Sequence, residues 1–138
     1  MLLLVPVGYF VAMWVLYQPV RHQQALTGSR DPAAFDAAVL ASGGVASTRT
    51  GLLVDIGFIA LVAAVVPAVF AAHGRPWWVP LLACGLDLIE DALALRLLAG
   101  GATMNGVKVL KAVATAKLVA YAVVLAIALQ IGAAALTG

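Results

Sequence analysis

The chain has 138 residues, 64% of them hydrophobic and 10% charged, with a formal net charge of +2 at pH 7. A soluble domain carries about a quarter charged residues, so this composition argues against one, and the scattered basic residues exclude a nucleic-acid surface. Cys84 is the single cysteine, which excludes a disulfide framework and a thiolate metal site and leaves it the role of packing filler.

A bilayer-spanning helix needs about 20 apolar residues. Four spans therefore fill the chain as one domain, residues 1–138, of all-α class: a polytopic membrane protein built as a four-transmembrane-helix bundle. The first span is expected over residues 1–20, with Pro6 near its start, where a missing amide matters least. Its apolar run lacks a basic leader, which predicts a permanent helix and not a cleaved signal. The longest loop follows. Within it, DPAAFDAAVLASGG offers Asp31 as a cap, Pro32 at the first helical position and Gly43–Gly44 as a stop. These predict a short interfacial helix over 32–42, with Phe35, Val39 and Leu40 turned to lipid. The second span is expected over 51–72, kinked at Pro67 unless a neighbour repairs the backbone. HGRPWW makes a tight turn whose Trp77 and Trp78 suit an aromatic belt at a membrane surface. The third span is expected over 79–99. After GGATMNG, the fourth covers 107–136 and is long enough to tilt or project.

Lys and Arg set the orientation. Arg21, Arg30 and Arg49 lie in the first loop, Arg96 and Lys108 border the third, and Arg75 stands alone in the second. The positive-inside rule then places loops one and three in the cytoplasm and both termini outside.

Within the third span, Asp87, Glu90 and Asp91 fall at helical spacings of three and four, so they share a face. Asp55 begins the second span from the same side, and the fourth span brings Lys108, Lys111 and Lys117 in from that side. Lys117 is expected at the depth of Asp87 and Glu90, and Lys111, Ala114, Leu118 and Tyr121 form a stripe aimed at the acids, with Lys117 at its edge. Lys108 and Arg96 are expected to snorkel to the headgroups. A charge at mid-membrane costs about 2.5–3.5 kcal/mol on insertion scales, so these acids must face the bundle interior, pair with bases or line a wet cavity. Plain structural ion pairing is an even alternative for any one of them. For the set, the expectation is chemistry: Glu90 gives a proton while Asp87, nearer a lysine, acts as ionised base. Tyr9, with Tyr17 and Trp14, is expected to line a pocket from the first span, although interfacial anchoring explains Trp14 and Tyr17 as well.

Asp55 with Phe58 three residues on, followed by LDLIED in the next helix, resembles a set of small bacterial four-helix membrane proteins. These carry an Asp early in the second helix and an Asp-x-x-Glu-Asn-like motif in the third. The likeness covers roughly residues 53–98, and Asp91 stands where that pattern has Asn. The resemblance implies a bacterial inner-membrane location and weight on Asp55, Asp87 and Glu90; it implies no reaction. DLIED also looks like one of the acidic motifs with which membrane prenyltransferases hold magnesium and a diphosphate. Those enzymes carry two such motifs on a larger bundle, and one is present here. No cofactor or metal site is therefore expected, with Mg²⁺ the ion that oxygen ligands would suit.

Three functions fit these residues. The first is an integral membrane enzyme or binding protein for a lipophilic molecule (isoprenoid, sterol-like or acyl) that uses the carboxylate cluster as acid and base. Asp55, Asp87, Glu90 and Asp91 are its expected catalytic groups, and Lys111, Lys117, Tyr121 and Tyr9 its expected binding groups. The second is a proton- or ion-coupled small transporter acting as a homo-oligomer; against it, the intramembrane charges stop near mid-membrane, and a relay needs both halves. The third is a non-catalytic membrane subunit.

Overall fold

A computed structural model describes residues 18–137, and side chains over 23–134. The expected span over 1–20, with Tyr9, Trp14 and Tyr17, lies all but entirely outside the described residues. Those residues form five helices and no strand: α1 (Gln18–Thr27), α2 (Pro32–Ala41), α3 (Val45–Ala72), α4 (Trp78–Gly100) and α5 (Met104–Thr137).

The helix signals in the first loop act as read. Asp31 accepts a hydrogen bond from the Ala34 amide at 2.8 Å, Pro32 opens α2, and Gly43 and Gly44 follow its end at φ 94 and 90°. Those positive φ values suit glycine, which has no Cβ to oppose them. The environment of α2 differs from the expected one. Phe35 and Val39 are 1% and 6% exposed and pack with Leu26 of α1, Leu52 of α3, Ala94 and Leu97 of α4, and Val107 and Leu110 of α5. Only Leu40 turns outward. The helix is thus a plug on one end of the bundle, and its short apolar face meets protein where lipid was expected.

α3 starts six residues before the expected boundary, at Val45. The polar stretch ahead of Gly51 reads as loop, but its hydroxyls bond back to their own helix. Thr48 Oγ1 donates to the Gly44 carbonyl at 2.9 Å and Thr50 Oγ1 to the Ala46 carbonyl at 3.0 Å. Such back-bonding lets threonine sit in a helix without an unmet polar group. Asp55 consequently lies about 15 Å along α3, well inside it and not at its start. The helix continues through Pro67. At the start of α5, Thr103 accepts from the Gly106 amide at 3.1 Å, which moves that start from 107 to Met104.

α4 packs along α3 on one side and α5 on the other, joined to each by a short turn, while α1 touches α3, α4 and α5. Buried positions on the long helices recur every three or four residues, as one face requires. On α3 they include Leu52, Asp55, Ile59, Val62 and Val66. On α4 they include Ala83, Cys84, Asp87, Glu90, Asp91, Ala94 and Leu97. A second apolar core, centred on Ile59, Val66, Phe70, Ala83, Val124 and Ile131, fills the end opposite the plug. α3 and α5 are long and apolar enough to cross a membrane. α4 has 23 residues but carries Asp87, Glu90, Asp91 and Arg96.

Phe35 anchors the plug, so Phe35→Ala should cost about 3–5 kcal/mol, the range for a large buried aromatic. Thermal unfolding in detergent checks this. A Leu40→Ala control, at a side chain 76% exposed, should melt with the parent.

Candidate functional site

Between the two apolar cores lies a polar layer. α3 contributes Asp55, α4 contributes Asp87, Glu90 and Asp91, α5 contributes Lys117 and Tyr121, and α1 contributes Gln23. Asp55, Asp87, Glu90 and Asp91 are 8%, 3%, 1% and 0% exposed. Of the six acidic residues in the whole chain, four are gathered here.

They form two pairs, each bridged by one nitrogen. Lys117 Nζ lies 2.9 Å from Asp87 Oδ1 and 2.7 Å from Glu90 Oε2. The first contact is also a hydrogen bond; the second is an ion pair without hydrogen-bond alignment. Tyr121 completes this half, its hydroxyl donating to Asp87 Oδ2 at 2.8 Å. In the other half, Gln23 Nε2 donates to Asp55 Oδ2 at 2.8 Å and to Asp91 Oδ1 at 2.9 Å. An amide carries no charge, so this pair has hydrogen bonds but no cation among the described residues. Asp91 Oδ2 is buried with no hydrogen-bond partner among the described residues.

Of the two lysines expected near Asp87 or Glu90, Lys111 and Lys117, it is Lys117 that meets both acids. Tyr121 also joins the site as expected. Lys111 does not: it is exposed, and it sits six residues from Lys117, about 120° around the helix. The inward stripe of α5 runs Val107, Leu110, Ala114, Lys117, Tyr121 and Val124, rotated from the expected one, so that Leu118 is 62% exposed. Arg96 and Lys108 are exposed, as expected. Tyr9 lies outside the described residues. Glu90 sits in the half that holds the ammonium, and the acid without one is Asp91.

Gln23 went unread because it falls in a stretch taken for loop. The signal available was RHQQALTG, in which no proline or glycine interrupts helix until Gly28. Cys84 plays the packing part, buried on α4 with its sulfur 3.8 Å from the Ile59 carbonyl oxygen.

Asp55, Asp87 and Asp91 can together hold a metal ion: each offers a carboxylate oxygen, and the three atoms lie within 4.8 Å of one another. The sequence alone had called for no such site. Chemically, the layer offers a carboxylate set ion-paired with Lys117 on one side and a pair of acids bridged by the Gln23 amide on the other.

Comparison of the chain with protein-family models, curated proteins and solved structures gives no match.

Lys117 is the ion-pair partner of two buried acids, so Lys117→Met should cost about 3–5 kcal/mol by leaving buried charge unpaired. In a cycle with Asp87→Asn, the two changes should couple by about 0.5–3 kcal/mol. Melting curves of the parent, both single variants and the double variant measure that coupling; strictly additive losses would contradict the pairing.

Proposed function

We propose that the protein is a four-span membrane bundle that binds a lipophilic molecule, of isoprenoid, sterol-like or acyl type, and acts on it by acid–base chemistry at the carboxylate layer. The observation that carries this reading is the unequal charge of the two pairs. An ion network that served only to hold helices would balance its charges, and here four carboxylates meet one ammonium among the described residues. Stranded charge of this kind is costly in an apolar medium and marks a working site by default. In this reading Asp91 and Asp55 handle the proton. One carboxyl donates to an alkene, epoxide or leaving oxygen of the substrate, and a carboxylate takes a proton back. Lys117 and Tyr121 hold Asp87 in place and fix the field around it.

Membrane embedding is supported by the outer surface. Leu53, Leu82, Ile89, Val109, Leu118, Val119, Leu125 and Leu129 are each about half exposed or more. Only 28% of the apolar window of α3 and 11% of that of α5 is buried. A core helix of a soluble protein would be covered, and an apolar surface of this extent needs lipid or protein against it. An open apolar groove of about 320 Å³ runs between α4 and α5, lined by Trp78, Leu82 and Leu86 on one side and Ala116, Ala120 and Val123 on the other. Ala116 and Ala120, which line this groove, lie one and three residues from Lys117 on α5. A transmembrane proton relay is less well supported. The apolar core beyond the layer holds no titratable side chain except Cys84 among the described residues.

The basic residues support a cytoplasmic plug. Arg30, Arg49, Arg96 and Lys108 are exposed at its end of the bundle, against Arg75 alone at the other. On a Cys84→Ala background, Thr137→Cys should react with an impermeant thiol reagent in intact bacteria and Asn105→Cys should not. The opposite labelling would reverse the orientation.

For the chemistry, organic extracts of the protein purified in mild detergent should yield a lipophilic compound by mass spectrometry. With that compound as substrate, Asp91→Asn should fold and bind it but lose about 10²–10⁴-fold in turnover, the usual contribution of a positioned acid or base. Full turnover by Asp91→Asn would refute the assignment.

A further inference from the structure

The Asp55–Asp91 half holds two buried acids and no cation among the described residues, and the geometry points to a divalent, oxygen-seeking cation bound by Asp55, Asp87 and Asp91. This rests on the reading of the layer as a working site but not on its acid–base chemistry.

The spacing suits such an ion. Oxygens on opposite sides of Mg²⁺ lie about 4.2 Å apart and of Ca²⁺ about 4.8 Å, twice the metal–oxygen distance. The three carboxylate oxygens, all within 4.8 Å of one another, meet the Ca²⁺ limit, and around Mg²⁺ they would draw in to about 4.2 Å. They come from two helices, α3 and α4, so the site forms only when these pack. The donors are all oxygen and all hard, which selects Mg²⁺, Ca²⁺ or Mn²⁺ over ions that seek nitrogen or sulfur.

Two further features go beyond a mere gathering of acids. Asp91 Oδ2 is a wholly buried oxygen without a hydrogen-bond partner, on a residue 0% exposed. Leaving such an atom unmet is costly, and a cation beside it would remove the cost. In addition, each of the three carboxylates is already held from outside the trio. Gln23 grips one oxygen of Asp55 and one of Asp91, and Lys117 and Tyr121 grip Asp87. Metal ligands characteristically have such outer partners, which fix their direction before the ion arrives.

Charge favours a divalent ion over a monovalent one. With all four carboxylates ionised, the Lys117 ammonium leaves three negative charges among the described residues of the layer. A divalent cation reduces that to one, and a monovalent cation leaves two. Once bound, the ion would present a Lewis acid to an oxygen of the lipophilic substrate.

The test uses the full chain in detergent, stripped with chelator and titrated with Mn²⁺ alone, with bound ion read by electron paramagnetic resonance. One saturable Mn²⁺ per chain is expected, displaced by Mg²⁺ or Ca²⁺. Asp55→Asn and Asp91→Asn should each abolish it. Gln23→Leu should weaken it by about 10–100-fold, as for loss of an outer partner. Glu90→Gln, outside the trio, should retain it. Circular dichroism and melting confirm that each variant is folded. No saturable Mn²⁺ in the wild-type chain overturns the proposal, and so does equal binding by wild type and the folded Asp55→Asn and Asp91→Asn variants. Neither result touches the acid–base reading, which stands or falls on copurified lipid and the turnover of Asp91→Asn.

Discussion

The structure is organised around one ammonium set among four carboxylates. Lys117 reaches Asp87 and Glu90 and leaves Asp55 and Asp91 to share a neutral amide. Every helix that carries side-chain description, apart from α2, sends a residue into this layer. The packing of α3 against α4 and of α4 against α5 is therefore the same event as assembling the site. A charged layer inside an apolar bundle is a poor source of stability, because desolvation takes back much of what the ion pair gives. The stability comes from the apolar cores on either side, and the layer adds register: Gln23, Asp55, Asp91, Asp87 and Lys117 meet only when four helices sit at the right depth.

The two cores also control what reaches the layer. On the plug side, α2 and the end of α1 close the bundle with Phe35, Val39 and Leu26. On the far side, Ile59, Phe70 and Val124 close it again. The lateral approach is different. Lys117 keeps 16% of its side chain exposed, between two alanines that line an apolar groove. A site closed at both ends and edged by an apolar groove fits a ligand that arrives from lipid, and it fits a solute passing from one side to the other less well.

Much of this was legible in the residues and some was not, for physical reasons. Asp31, Pro32 and Gly43–Gly44 fixed α2 because cap, first-turn proline and positive-φ glycine act locally. The shared face of Asp87, Glu90 and Asp91 was legible because helical spacing is local too, and the depth of Lys117 followed from rise per residue. The environment of α2 was hidden, since a short alanine-rich helix has the same sequence whether it meets lipid or protein. The start of α3 was hidden by threonines that look like loop residues until their hydroxyls turn back on the helix. The stripe of α5 was misjudged by about one residue, because nearly every position on that helix is apolar and the pattern does not choose a face. The rotation turns Lys111 outward and leaves Lys117, expected at the edge of the stripe, as the inner cation. Gln23 was missed because its role exists only across helices: one amide linking acids 32 and 68 residues away has no trace in local spacing.

The two acid pairs differ in kind: one is ion-paired with Lys117, and the other has no cation among the described residues. The most direct measurement compares the unfolding midpoints of Asp87→Asn and Asp91→Asn in chelator-treated detergent solution. Asp87→Asn weakens the contacts with Lys117 and Tyr121, and should melt well below the parent. Asp91→Asn removes a negative charge that no described cation balances, and should melt at or above the parent. Equal destabilisation by the two changes would show that the pairs are alike and would contradict the account.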